Sequence, residues 1–409
     1  MANIASPPAS THPLGNPHFR LFWIGATISW TGDQFYLVAL PWLVLQLTGS
    51  SIVLGTITMI AAFPRAGLML LGGAVSDRFS PRRIMMTTAT ARTILVAAVA
   101  ALIWIHRLHL GQLYMLAFAF GVADAFAAPA AQTYLPSLVK PDQLPAANSV
   151  IQSTAQVTTL VAPAPAGLLI RTFGTAWAFL IDAVSFLFII GALWRLPDPP
   201  SAAPIASGAP RRNMLRSILD GLRYVKNDVP LFSLLRLTAV LNFAITGPVS
   251  VGLAFIAKQK FGTPSSFGLL MSAIGGGSLV GVFLAGLYKH RNRGRLLLLA
   301  STTIGLCLGT IGLIRQMSAL AAVLFLMSAT AAFLNVQLIA WFQQRVDRAM
   351  RGRVMSVLMF AAIGLMPFSL AAAGFAIKWS LPGMFLVAAA MVLLVTMLAA
   401  AHRPVREID

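Results

Sequence analysis

Gly73-Ala74-Val75-Ser76-Asp77-Arg78-Phe79-Ser80-Pro81-Arg82-Arg83 is a short charged stretch between two long apolar runs, 52–75 and 84–105. Each run can cross a bilayer core of about 30 Å, which takes about 20 residues of helix. The stretch therefore reads as a tight turn at one membrane face. Its arginines put that face on the cytoplasmic side, because Lys and Arg are held back during insertion. A second stretch, Gly286-Leu287-Tyr288-Lys289-His290-Arg291-Asn292-Arg293-Gly294-Arg295, has the same layout. Each opens on a glycine, carries a charged or polar residue four positions later (Asp77, His290), and closes on a basic cluster. Similarity recurring about half a chain apart predicts two structural repeats.

Composition extends this reading to the whole chain. Of 409 residues, 58% are apolar and 10% charged, against about 25% charged in soluble domains. Such a chain cannot cover a water-facing surface, so its solvent is largely lipid. Apolar runs separated by polar breaks predict twelve spans: 21–46, 52–75, 84–105, 113–135, 147–170, 176–195, 231–257, 265–288, 295–314, 318–342, 353–376 and 382–401. The expected fold is an all-α membrane protein of two six-helix pseudo-repeats, 1–195 and 231–409, joined by a cytoplasmic linker, 196–230. Within the linker, Leu215, Ile218, Leu219, Leu222 and Val225 share one helical face, which predicts an amphipathic helix in the membrane interface.

With both termini, the even-numbered loops and the linker assigned to the cytoplasm, that side holds 21 Lys and Arg and the opposite side 6. The net charge of +19 is therefore read as topology rather than as a nucleic-acid surface. The single cysteine, Cys307, excludes a disulfide framework. No GxxxxGK[ST] phosphate loop and no HExxH metal motif occurs, and no cofactor or metal is expected.

The first turn resembles the signature of the major facilitator superfamily, Gly-x-x-x-Asp-Arg-x-Gly-Arg-Lys/Arg after helix 2. Gly73, Asp77, Arg78 and Arg82 match it, whereas Ser80 and Pro81 depart from it. Further segments are similar to one branch, the enterobactin and macrolide exporters and related transmembrane secretion proteins. They are Thr31-Gly32-Asp33-Gln34, Ala128-Pro129-Ala130, Asp182-Ala183-Val184-Ser185-Phe186, Gly221-Leu222-Arg223-Tyr224 and Gly352-Arg353-Val354-Met355-Ser356. The resemblance covers nearly the whole chain and implies an exporter of amphiphilic small molecules working by alternating access. Proton-coupled drug antiporters of the superfamily carry an Arg four residues before a Gly in helix 4; here Ala117 precedes Gly121. The resemblance also implies a cytoplasmic gate in which Asp77 faces Gly352 and Arg353 at the start of helix 11, where a carboxylate is favoured by the helix N-terminus.

Three acids fall inside spans: Asp33, Asp124 and Asp182. An ionisable group in hydrocarbon is expensive and marks function by default. Counted at about 1.5 Å per residue, Asp33, Arg65 and Asp124 share the midplane, where transporter sites sit. Arg65 stays charged and needs a partner, either Asp33 or Asp124; the other acid is free for proton exchange or a cationic substrate. Arg92, nearer the cytoplasmic face, and Asp182, in the outer third of its span, read as structural. Gln34, Gln152, Gln156, Asn242, Asn335 and Gln337 are candidate polar cavity residues. The expected partners are a small-molecule substrate, protons and the lipid bilayer of the cell inner membrane, with the chain a monomer. An importer of the same fold fits these residues as well. An integral-membrane enzyme would need clustered His, Asp or Glu at one face, and the six His are scattered.

Overall fold

The computed structural model describes residues 12–76, 79–198, 214–288 and 292–406, without side-chain detail at 69–76, 214–219 and 348–349. All regular structure among them is helical. The helices are α1 (Pro17–Thr48), α2 (Ser51–Ser76), α3 (Pro81–Trp104), α4 (Leu110–Tyr134), α5 (Leu144–Val161), α6 (Pro163–Phe173), α7 (Thr175–Arg195) and α8 (Met214–Lys226). They continue with α9 (Val229–Gly247), α10 (Leu253–Ile256), α11 (Pro264–Leu287), α12 (Arg293–Ile311), α13 (Met317–Arg345), α14 (Arg348–Met359), α15 (Met366–Trp379), α16 (Leu381–Ala401) and α17 (Arg403–Arg406).

The starts of the helices are written locally. A capping side chain followed at once or one residue later by proline opens α1 (Asn16-Pro17), α3 (Ser80-Pro81), α9 (Asp228-Val229-Pro230), α11 (Thr263-Pro264) and α16 (Ser380-Leu381-Pro382). The cap satisfies an orphan backbone N–H, and proline loses nothing in a first turn whose N–H groups have no helical partner. Pro163 divides α5 from α6, and the Ala164 N–H near the break is satisfied by Ser272 Oγ of α11 at 3.1 Å. Short π-helical segments, Pro248–Gly252 and Ala257–Phe261, carry α9 and α10 onward, and Phe360–Gly364 joins α14 to α15.

Among the described residues, ten helical segments are long and apolar enough to cross a membrane. Two of the twelve expected spans are not among them. α1 is long, but Thr27, Thr31, Asp33 and Gln34 dilute its hydropathy; 144–173 is interrupted at Pro163. Large apolar side chains point outward, including Trp379 at 87% exposure and Trp194 at 75%. Trp104, Trp177, Trp194 and Trp379 all lie at or near helix ends, where amphipathic rings favour the headgroup level.

α1 packs against α7, α2 against α4, and α3 against both α4 and α7; α9 packs against α15 and α16, α11 against α13, and α12 against both α13 and α16. The two sets meet chiefly through α2 with α15 and through α5 and α6 with α11. α8 forms within the segment expected as an amphipathic linker helix. It packs on α14, with Val225 fully buried and Gly221 against the Arg353 carbonyl. The apolar face expected to meet lipid has, at these positions, protein to cover it.

Candidate functional site

Four helices turn one face toward a central cavity of about 510 Å³. On α1 the lining positions include Ala26, Ser29, Trp30, Asp33, Gln34 and Leu37; on α3 they are Met85, Thr88, Ala89 and Arg92. α2 supplies Thr58, Ala61, Ala62 and Arg65, and α4 supplies Gly121, Asp124, Ala127 and Ala128. The steps of three and four residues are those of a single helical face. Each of the four helices carries one charged residue on that face.

The charges meet. Arg65 Nη1 lies 3.2 Å from Asp124 Oδ2, Arg92 Nη2 lies 2.9 Å from Asp124 Oδ1, and the same nitrogen lies 3.4 Å from Asp33 Oδ1. Asp124 is thus held by two arginines and Asp33 by one. Of the two partners open to Arg65 in the sequence, the structure places Asp124 against it. The Arg92 guanidinium lies between the rings of Phe120 and Phe186, 4.7 and 4.8 Å from their centroids. Aromatic faces attract a cation and replace part of its lost hydration. Two guanidinium groups and two carboxylates balance in charge, which lets a four-charge cluster stand inside the membrane.

Sequence reasoning set Arg92 apart from the midplane acids, and the structure brings it to them. Its count from the end of the span put it near the cytoplasmic face in a structural role, but a long side chain on α3 reaches the acids. The signal that could have found it is an arginine on the same helical face as Thr88 and Ala89, one turn further into the span. Asp182, also read as structural, is fully buried on α7 beside Gly32.

Of the six polar residues expected around the cavity, Gln34 lines it. Gln152 and Asn335 are exposed and Gln156 is half-buried, away from the lining. Asn242 donates to the Thr238 carbonyl of its own helix at 2.9 Å, and Gln337 donates to the Ala285 carbonyl of α11 at 3.3 Å. An amide in hydrocarbon takes the nearest carbonyl, in its own helix or the next.

The gate residues divide. Asp77 and Arg78 lie outside the described residues, and Gly73 lies in the last turn of α2, where side chains are not described. Arg353, expected to face Asp77, pairs with Asp220 of α8 at 3.5 Å, and Gly352 faces open space. Arg82 donates to the Leu193 and Trp194 carbonyls at the end of α7 and pairs with Asp198 at 3.3 Å. Asp198 also accepts from Ser80 Oγ at 2.7 Å. That hydrogen bond first, then Arg82 and Arg83, hold its carboxyl below the usual range. Beside α14, Tyr224 donates to Asp347 at 2.9 Å; partial burial and this bond raise the phenol above its ordinary value.

The cavity is closed at one end. At the end where α2 begins and α15 finishes, Ser51 Oγ donates to the Gly374 carbonyl at 2.9 Å. On the other flank a Cβ on Gly268 would lie 2.2 Å from the Pro163 carbonyl, so only glycine lets α11 and α6 touch there. Toward the opposite end, where α1 begins and α16 finishes, the lining continues over Phe22, Ala26, Met85 and Ala131.

A central cavity with balanced charges, closed by helix packing at one end, is the geometry of a carrier, and the chain's relatives agree. The profile of the transmembrane secretion effector family, within the major facilitator superfamily, matches residues 8–409. The chain belongs to this family. It is a multi-pass membrane transporter and not an enzyme. It is similar to the multidrug efflux pump Tap of Mycolicibacterium fortuitum, 27% identical over 95% of this chain and 96% of that one. The macrolide efflux protein A of Streptococcus pyogenes is 24% identical over 96% and 97%. The enterobactin exporter EntS of Shigella boydii is 26% identical over 83% and 80%. Among solved structures, the nucleoside transporter NupG superposes with a TM-score of 0.72 at 13% identity, covering 96% of this chain and 100% of that chain. A bacterial homologue of the iron transporter ferroportin in an inward-facing state gives 0.68 at 16% identity, covering 93% and 98%.

Proposed function

We propose that this family member is an exporter of amphiphilic small molecules that works by alternating access and is driven by protons. The observation that carries this reading is the cavity of about 510 Å³, lined by aromatic and aliphatic side chains with four charges on one wall. Such a lining suits a molecule with a large apolar body and one or two polar groups. The efflux activities named for the relatives in mycobacteria and streptococci support the outward direction.

Twelve spans in two six-helix repeats, 1–195 and 231–409, joined by a linker, 196–230, make the best architecture. The recurrence of pairings supports it: α1–α7, α2–α4 and α3–α7 are matched by α9–α16, α11–α13 and α12–α16. In that scheme α5 and α6 form one span broken at Pro163. Both termini lie in the cytoplasm of a bacterial inner membrane, and the cavity opens to the cytoplasm. The chain acts as a monomer. Asp33, Arg65, Arg92 and Asp124 form the coupling and binding cluster. An acid held by a single long contact, as Asp33 is, exchanges a proton more readily than one held by two arginines.

Inverted membrane vesicles containing the full chain test this reading. They should accumulate a fluorescent amphiphilic dye when the lumen is acidified, and lose it when a protonophore collapses the gradient. Dye accumulation that persists after collapse would remove the proton from the mechanism; accumulation no greater than in vesicles lacking the chain would remove export of this class.

A further inference from the structure

The charge balance of the site leaves one acid over. Asp33 and Asp124 are matched by Arg65 and Arg92. Asp182 of α7 has no such match. It is fully buried, and neither of its carboxylate oxygens has a hydrogen-bond partner. Its neighbour Ser185 donates to the Asp182 backbone carbonyl at 2.7 Å. A Cβ on Gly32 would lie 2.9 Å from Asp182 Oδ1, so the carboxyl is pressed against the α1 backbone one residue before Asp33. The elements packed on α7 are α1, α3 and α6. α1 turns Asp33 and Tyr36 toward Asp182, α3 turns Arg92, and the ionisable residue of α6, Arg171, is exposed.

An ionised carboxylate with no partner in a dry site is far more costly than the same group carrying a proton. The cation that could compensate it is near but committed. Arg92 spends its Nη2 on Asp33 and Asp124, and its Nε is buried without a partner. Its guanidinium lies over Phe186, one helical turn along α7 from Asp182. A rotation of the side chain about that ring would bring Arg92 from one acid to the other.

We propose that Asp182 is a proton-carrying site of the transport cycle, loaded in the state described here and emptied when Arg92 turns to it from Asp33. The step balances. The Asp182 O–H bond breaks and the proton passes beside Gly32 onto an Asp33 carboxylate oxygen, which cancels the attraction of Asp33 for Arg92. The guanidinium, still held by Asp124, turns toward the newly ionised Asp182, and Asp33 then gives the proton to cavity water. One proton leaves the cluster to the cytoplasmic side in this state, and Asp182 is reloaded from the opposite side in the next. Gly32 serves this exchange because any side chain there would collide with Ser185 and Asp182 and part the two acids. The place of Asp182 in a cycle rests on the proton-driven reading above; its protonation does not.

Infrared spectra of the purified full-length protein at neutral pH test the proton directly. The wild type should show the carbonyl stretch of an un-ionised carboxylic acid. Asp182→Asn should abolish it, and Asp142→Asn, which removes an exposed acid, should leave it. If Asp182→Asn does not fold, Asp182→Ser is read in its place. Absence of the band from the wild type, or its survival at full size in the variant, overturns the proposal. Vesicles supply the second arm: Asp182→Asn should retain substrate exchange at the wild-type rate and lose tenfold or more of gradient-driven accumulation. Accumulation retained, or exchange lost in the same proportion, overturns the carrier role. If the wild type shows no gradient-driven accumulation, the proton-driven reading fails, and the infrared band still decides whether Asp182 carries a proton.

Discussion

Arg92 Nη2 lies 2.9 Å from Asp124 Oδ1, binding α3 to α4. Because the same nitrogen also touches Asp33 at 3.4 Å, one guanidinium ties three helices of the cavity wall. The side chains involved keep limited access to the cavity, with Arg92 at 12% and Asp33 at 23% exposure.

Arg92→Ala leaves Asp33 without a direct ion pair, while Asp124 keeps Arg65. Removing one partner of a buried pair costs about 3–5 kcal/mol, and the residual access of Asp33 to the cavity puts the expected loss near the lower figure. Adding Asp33→Asn should recover most of that stability without recovering transport. Detergent melting of the two single variants and the double variant measures it; an additive double variant would show that the two residues are uncoupled.

Arg65→Ala should behave differently. Arg65 is half-exposed to the cavity at 50%, and ion pairs of that kind contribute about 0–1 kcal/mol. The variant should melt close to the wild type while its transport falls, through a raised KM for the dye. A melting loss as large as that of Arg92→Ala would assign Arg65 to the fold and not to the substrate.

Gly268→Leu addresses the closed end. The added side chain has no room against the Pro163 carbonyl, so α11 and α6 must part, and overpacking of this kind costs about 1–3 kcal/mol. In a Cys307→Ser background, a Ser265→Cys reporter should label several-fold faster with a membrane-impermeant maleimide when Gly268→Leu is present. Equal labelling rates would mean that this contact does not hold the end shut.

Asp198 gives a pH prediction. Its folded-state carboxyl lies below the ordinary range because of Ser80, then Arg82 and Arg83. Its contribution is therefore present above the unfolded-state value of about 3.9 and is lost only as pH falls through the lowered folded value. From pH 5 to pH 8 the difference in melting between the wild type and Asp198→Asn should be constant and, for an exposed pair, within about 1 kcal/mol. A difference that grows steadily toward pH 8 would show that the carboxyl is not held low.

The fold was more legible than the site. Apolar runs and proline-marked caps lie in consecutive residues, so α3, α7, α11, α12 and α16 could be read almost to their ends. The chain at 163 was harder, because a proline inside a hydrophobic run is equally compatible with a bend and with a break. Within the site, Asp33, Arg65 and Asp124 stood out because ionisable residues in hydrocarbon are rare and costly. Arg92 did not, since counting along one helix gives the depth of a Cα and not where a long side chain reaches. The amides pose a related difficulty: one in lipid needs a hydrogen bond, and the partner that Asn242 finds, or Gln337, is a helix carbonyl that the sequence does not reveal.

The sequence by itself determined that this chain lives in a membrane, that its helices start where side-chain caps and prolines coincide, and that its inward-facing acids are exceptional. These follow from local free energies of transfer and of backbone satisfaction, which depend on neighbouring residues alone. Tertiary structure decided that Asp124 is held by two arginines and Asp33 by one, that α8 docks on α14, and that Asp182 is left without a cation. Each of these depends on which helix faces turn toward one another across tens or hundreds of residues. Charge at short range is decisive in a low dielectric, so the distances set by that packing, and not the inventory of charged residues, choose which groups pair and which one is left unpaired.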